Sequence, residues 1–191
     1  MILNPIAVTL LVVQVFDDLQ VPYFIGGSLA SALYGVTRTT ADCDIVAALE
    51  PDHAHPLVQK LGEAFYADEV AILDAIIHLS SFNLIHLDSM FKVDVFIQKP
   101  RPFEMSQFER RCLEILEINP VRRAYFASAE DTLLAKLEWY RLGGGVSDRQ
   151  WRDILGIIKV QASHLDRVYL NLWAADLGVS DILERAFAEA E

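Results

Sequence analysis

Cysteine is almost missing from this chain: Cys43 and Cys112 are the only two among 191 residues. Two thiols cannot build a disulfide framework, and their separation does not match a zinc site. A reducing compartment, the cytoplasm, is the expected setting. Long apolar runs are missing as well, although 53% of the residues are hydrophobic. No stretch approaches the roughly 20 apolar residues that a spanning helix requires, so no membrane partner is expected. The opening MILNPIAVTLLVVQVFDDL has no basic segment ahead of its apolar one, and Asp17 and Asp18 stand where a secretory cleavage site would place small residues. It is expected to be a helix of the mature protein. Positive charge is also scarce, since 16 Lys and Arg against 27 Asp and Glu leave a net charge of −11. That balance argues against broad binding to nucleic acid, which depends on neutralising phosphates. The deficit is uneven: between Lys92 and Arg123 seven basic side chains face five acidic ones, a net of +2 that leaves −13 for the rest. A solvated face of mixed charge accounts for this segment more simply than a nucleic-acid patch does.

What is present has the periodicities of a mixed α and β chain. A helix is expected from Pro5 to Leu19, with Asn4 as its cap and Pro5 at its first position. A short strand, Tyr23 to Ile25, runs into glycines, and SLASALYG reads as a helix opened by Ser28 and closed at Gly35. Asp42 to Leu49 has strand character, and PDHAHPLVQKLGEAF and then Asp68 to His78 have helical character. Asn83 to Leu87 and Phe91 to Ile97, separated by DSM, read as a hairpin, and Cys112 to Ile118 as an edge strand. Beyond about Ala124 the spacing turns helical, with Ser128 and Asp131 forming a near-capping box and Ser147 capping a later helix. The three glycines of RLGGGVSDRQ follow no strand and so do not make a phosphate loop.

Chemistry concentrates in FIGGSLASALYGVTRTTADCDIV, Phe24 to Val46. A strand ending on Gly26 and Gly27 can turn sharply and bring bare backbone against a ligand, because neither residue has a Cβ. Ser28 then opens a helix whose unsatisfied N–H groups and positive dipole end favour an anion such as phosphate. Asp42 and Asp44 are one residue apart on a strand, so both carboxylates share one face while Cys43 and Ile45 turn towards the core. Two like charges held together are costly without a cation between them, and oxygen donors of this kind suit magnesium held jointly with phosphates. In FKVDVFI the same alternation sets Lys92, Asp94 and Phe96 on the face opposite Phe91, Val93, Val95 and Ile97. Asp94 in so apolar a strand needs a partner. As a third carboxylate beside the other two it would complete a site for two-metal phosphoryl transfer.

The sequence IGGS, thirteen residues, DCDIV, and then a later strand bearing Asp94 resembles the signature of the DNA polymerase beta-like nucleotidyltransferase superfamily. Arg38, Thr39 and Thr40 ahead of the pair resemble the R-x-T-x-D-x-D form found in small bacterial members. SAEDTLLAKLEWYRLGGGVSDRQWRDILGII is similar to the C-terminal part of AbiEii-type and minimal nucleotidyltransferases, in which a lysine on one helix and an aspartate on the next complete the site; these match Lys136 and Asp153. The resemblance implies an α+β fold with a mixed sheet: a catalytic domain over residues 1–124 and a helical bundle over 125–191. It implies transfer of a nucleoside monophosphate from a nucleoside triphosphate to an acceptor hydroxyl, with magnesium, or manganese in its place, and release of pyrophosphate. Asp42 and Asp44 would hold the metal, and Asp94 would share it and help deprotonate the acceptor. Gly26, Gly27 and Ser28 would cradle the triphosphate, while Arg38 and Lys136 would offer it positive charge. Asp153 would orient Lys136 or act as a base.

The acceptor stays open among a tRNA end, a protein hydroxyl and a small aminoglycoside-like molecule. A second reading takes the same fold as an interaction module, the antitoxin-like partner of a toxin; mutually repelling aspartates speak for the enzyme. The histidines are scattered, and His53 and His55 do not share a helical face. Ser28 lacks the surroundings of a nucleophile, and both cysteines sit in apolar contexts. Trp139, Trp151 and Trp173 fall at core-like helical positions, with Trp139 or Tyr140 as the alternative lining of an acceptor pocket.

Overall fold

The computed structural model describes residues 4–37 and 40–190. By contact the chain forms two compact units, Met1–Gly26 with Thr40–Phe126, and Gly27–Thr39 with Ala127–Glu191. Within the first unit lie α1 (Pro5–Asp18) and β1 (Tyr23–Ile25), and the chain then leaves for α2 (Gly27–Tyr34) of the second. It returns for β2 (Asp42–Ala47), α3 (Ala54–Leu61), β3 (Phe65–Tyr66), α4 (Glu69–His78), β4 (Ser81–His86), β5 (Phe91–Ile97), α5 (Pro102–Arg110), β6 (Cys112–Ile118) and β7 (Val121–Phe126). The remaining helices, α6 (Ala129–Leu142), α7 (Asp148–Gln161), α8 (Arg167–Asp176) and α9 (Ser180–Ala190), belong to the second unit.

The first unit is built on a seven-stranded mixed sheet in the order β3-β4-β5-β2-β1-β7-β6. Its centre is parallel where β2 meets β5 and where β1 meets β7, and antiparallel between β1 and β2. Strict alternation on β2 and β5 buries Cys43, Ile45, Ala47, Val93 and Val95 completely or nearly so on one face. Helix α1 lies on that face: Val8, Val12 and Phe16 are fully buried, and Thr9 makes a hydrogen bond with the Cys43 thiol. Asn4 caps α1 by accepting from the Ala7 amide at 2.8 Å, and Pro5 holds the first position. Burial pushes the Cys43 thiol well above its usual range, so it is an inert core group. Cys112 is half-buried rather than in the core.

Strand β7 is not marked by the local pattern of the sequence, and the helical spacing expected beyond about Ala124 begins with α6 at Ala129. The β7 residues Val121–Phe126 pair with β6 on one side and, through Phe126 and Ile25, with β1 on the other. Adjacent Arg122 and Arg123 hide the alternation, and sheet pairing, a non-local term, supplies what local pattern lacks. Smaller differences lie at the ends. The segment at Pro51–His53 is a 3₁₀ turn before α3, and β2 stops at Ala47.

In the second unit α2 packs against α6 and α7. Gly35 permits this closeness: a Cβ there would stand 2.9 Å from the Ser31 carbonyl oxygen and 3.0 Å from the Ile157 nitrogen. Ala30, Leu133, Leu134, Leu137, Ile154, Ile157, Leu170 and Ala174 are fully buried. Ser128 caps α6, accepting from the Asp131 amide at 3.1 Å and donating its hydroxyl to Asp131 Oδ2 at 2.8 Å. The other oxygen of this fully buried carboxylate accepts from the Tyr169 hydroxyl at 2.6 Å.

Candidate active site

On the face of the sheet opposite Cys43 and Val93, strand alternation and register set the three aspartates on the same side of two adjacent strands. Asp44 of β2 pairs with Asp94 of the parallel neighbour β5, and Asp42 pairs with Lys92. Adjacent strands are about 4.8 Å apart, so Asp44 and Asp94 leave neighbouring backbones on the same side. All four side chains are half-buried. The Thr40 hydroxyl lies 3.0 Å from both the carbonyl oxygen and Oδ1 of Asp42, sharing its hydrogen between them and fixing that carboxylate. The amide of Gly26 donates to the Asp44 carbonyl oxygen at 2.9 Å, which sets the end of β1 directly beside the acidic pair. A Cβ on Gly26 would meet only Phe24, at 3.9 Å, among the described residues.

The partner that Asp94 needs is Lys92, two residues back on the same strand face. Its Nζ lies 2.7 Å from Asp94 Oδ2, with the Asp94 side chain only 15% exposed. The Asp94 hydrogen bond raises the Lys92 ammonium above its usual range; burial opposes this, and the charges of Asp94, Asp42 and Asp44 reinforce it. Nothing in the glycine and aspartate motif marks Lys92, yet the alternation of FKVDVFI places it on the carboxylate face. On the other side of β5, Asn83 of β4 stands opposite Asp94.

No three His, Cys, Asp or Glu side chains among the described residues are gathered into a ready metal cage. The donor set nonetheless fits a hard divalent ion, being carboxylate oxygens on two adjacent strands. The cation that Asp94 holds here is the Lys92 ammonium.

The second unit contains the other sequence candidates. Gly27 opens α2 with a positive φ of 54°, a conformation open to glycine, and Ser28 beside it is buried. Arg149, in the first turn of α7, directs Nη2 towards Ser28 Oγ at 3.5 Å, a weak contact that no motif announces. Lys136 of α6 donates to Asp153 Oδ2 of α7 at 2.8 Å, with side chains 12% and 7% exposed. They form a buried ion pair. Arg38 lies outside the described residues. Trp139 is 57% exposed, which corrects its core-like assignment, whereas Tyr140 is buried and accepts from Arg185 Nη2 at 3.1 Å.

No family model matches the sequence. No curated protein matches it either. Solved structures do match the fold. A solution structure of the antibiotic-resistance factor ANT(2'')-Ia is 15% identical, covering 99% of this chain and 100% of its own, with a TM-score of 0.58. A crystal structure of ANT(2'')-Ia in complex with adenylyl-2''-tobramycin, also 15% identical with a TM-score of 0.58, covers 90% of this chain and 95% of its own. An antigenic nucleotidyltransferase-like protein from Paracoccidioides brasiliensis is 18% identical, covering 94% of this chain and 91% of its own, with a TM-score of 0.52. The chain therefore has a nucleotidyltransferase fold of mixed α and β structure, as the glycine and aspartate motif implies.

Proposed function

We propose that the protein is a magnesium-dependent nucleotidyltransferase that moves a nucleoside monophosphate from a nucleoside triphosphate to a hydroxyl of a small acceptor molecule, releasing pyrophosphate. The observation that carries this reading is the in-register pairing of Asp44 with Asp94, with Asp42 on the same face and Gly26 bonded to the Asp44 backbone. A fold used only as a binding surface has no reason to collect three mutually repelling carboxylates.

Asp42 and Asp44 would hold the metal, with Asp94 as the third ligand. A bound magnesium ion supplies neutralisation of phosphate charge and acidification of the attacking hydroxyl. The chain's own groups do the rest. Thr40 keeps Asp42 oriented, and Asp94 takes the proton from the acceptor hydroxyl. Gly27 and Ser28 present backbone N–H groups to the triphosphate, and Gly26, whose own N–H is bonded to Asp44, leaves the approach clear because it has no Cβ. Arg38 and Lys136 offer it positive charge, and Asp153 holds Lys136 in place. A lysine on one helix and an aspartate on the next, Lys136 and Asp153, would be the features shared with the AbiEii-type branch.

A small hydroxyl-bearing acceptor is favoured over tRNA by the net charge of −11, and a protein of this fold has been seen with adenylyl-2''-tobramycin. The test is incubation of the protein with each labelled nucleoside triphosphate, magnesium and a total cell extract, followed by separation of RNA, protein and small molecules. Label is expected in the small-molecule fraction. Asp42→Asn/Asp44→Asn is expected to abolish triphosphate consumption, and consumption at the wild-type level would reject the site.

A further inference from the structure

The Lys92 ammonium occupies the face where a divalent cation is expected. It contacts Asp94 Oδ2 at 2.7 Å and is attracted by all three aspartates, and the backbone of Lys92 lies in register with that of Asp42. Its side chain is 43% exposed against 15% for Asp94, so the tip can move into solvent on a flexible four-carbon stem while the carboxylate cannot follow. A strand with Lys92 and Asp94 on one face thus contains its own counter-ion for the half-buried carboxylate.

We propose that Lys92 is the resident counter-cation of the carboxylate face, and that a divalent ion reaches Asp94 only by displacing the Lys92 ammonium. The inference rests on the proposed metal-dependent reading, with Lys92 as a positioning residue that acts through Asp94. In the metal-free protein the ammonium limits repulsion among the carboxylates. When the metal arrives, the two cations compete for one oxygen and the lysine turns out towards solvent. Lys92 therefore weakens the affinity for the free ion, so a metal accompanied by phosphate negative charge, which can receive the released ammonium, is retained better than the ion alone.

The experiment is titration of the full-length protein with Mn²⁺ in the absence of nucleotide, reading free ion by electron paramagnetic resonance. Thermal melting with chelator and with Mn²⁺ is followed in parallel. Wild type, Lys92→Met, Lys92→Gln and Lys92→Arg are compared, with Lys60→Met as a charge control, since Lys60 pairs with Asp18 elsewhere in the same unit. Removal of the ammonium is expected to tighten Mn²⁺ binding by roughly tenfold, the effect of one partly screened ion pair. It is also expected to lower the melting point in chelator and to enlarge the rise on adding Mn²⁺. Lys92→Arg and Lys60→Met are expected to bind as wild type does. Equal or weaker binding by both Lys92→Met and Lys92→Gln would overturn the inference while leaving the metal site standing. The same gain in Lys60→Met would overturn it as well, by tracing the effect to net charge. Absence of Mn²⁺ binding in every protein would overturn the metal reading and the inference with it.

Discussion

Lys136 and Asp153 offer the sharpest stability test, because the pair is well buried and joins two helices of the second unit. With Nζ and Oδ2 2.8 Å apart, attraction at an effective dielectric constant of about 20 is roughly 6 kcal/mol. Desolvation costs several kcal/mol for each ion, so the net value of the intact pair is small. Removing one member is different, since it leaves the other charge desolvated with its main partner gone. Lys136→Met takes the ammonium away from the buried Asp153 carboxylate, and Asp153→Leu takes the carboxylate away from Lys136; each is expected to lose about 3–5 kcal/mol. At roughly 2–4 °C per kcal/mol for a chain of this size, melting should fall by about 6–20 °C, read by circular dichroism at pH 7. Lys136→Met/Asp153→Leu removes both charges together and is expected to recover to within about 1 kcal/mol of wild type. Half-molar salt should not erase the pattern, because the pair is shielded from counter-ions. Triphosphate consumption should remain lost in the double variant, which separates a role in the reaction from a role in packing. Single variants within about 1 kcal/mol of wild type would refute the reasoning, and so would a double variant as unstable as the two singles combined.

Other perturbations follow from the same geometry. Tyr169→Phe removes the 2.6 Å donor to the fully buried Asp131 carboxylate and is expected to cost about 1.5–3 kcal/mol in urea unfolding, with Asp131→Ala costing more because it also strips the Ser128 contact. Gly35→Ala places a methyl 2.9–3.1 Å from backbone atoms of Ser31, Gly156 and Ile157, and is expected to destabilise the second unit by about 1–3 kcal/mol. Among the described residues Gly26→Ala meets only Phe24, at 3.9 Å, and it is expected to leave melting nearly unchanged while raising KM for triphosphate; unchanged KM would remove Gly26 from the binding site. Burial, then the neighbouring Asp18 charge, raise the Asp17 carboxyl above 3.8, with the Tyr23 hydroxyl opposing them. The folded state therefore binds the Asp17 proton more readily than the unfolded state. A cost to stability appears as pH rises through this range and persists at pH 7. Asp17→Asn is accordingly expected to melt slightly higher than wild type at pH 7, with the advantage gone at about pH 3, below both values.

Which parts of this site are legible in the sequence depends on how local their physics is. The alternation of DCDIV and FKVDVFI is a property of a single strand, so the shared face of Asp42 and Asp44, and that of Lys92 and Asp94, can be read from neighbouring residues. The pairing of Asp44 with Asp94 cannot be read in this way, since many residues separate β2 from β5 and only the assembled sheet sets their register. The same limit hides β7, whose two arginines interrupt its apolar rhythm and whose place is set by β1 and β6. It also hides the partnership of α2 with the C-terminal helices, which rests on the close approach at Gly35. Trp139 shows how an apolar residue is misplaced by a helical count. The buried stripe of α6 runs through Leu133, Leu137 and Tyr140, and Trp139 falls off that stripe with 57% of its surface exposed.

The cost of gathering like charges connects these observations. Asp42 and Asp44 share a face by strand geometry, and Asp94 joins that face by register, so repulsion among the carboxylates opposes the arrangement and a cation relieves it. Thr40 on Asp42, the Gly26 amide on the Asp44 backbone and the Lys92 ammonium on Asp94 fix the three positions by separate means. Of the three, only the Lys92 contact supplies charge, and its side chain is 43% exposed against 15% for Asp94. A structural salt bridge would gain from burying that tip; a site that exchanges one cation for another gains from leaving it free to move.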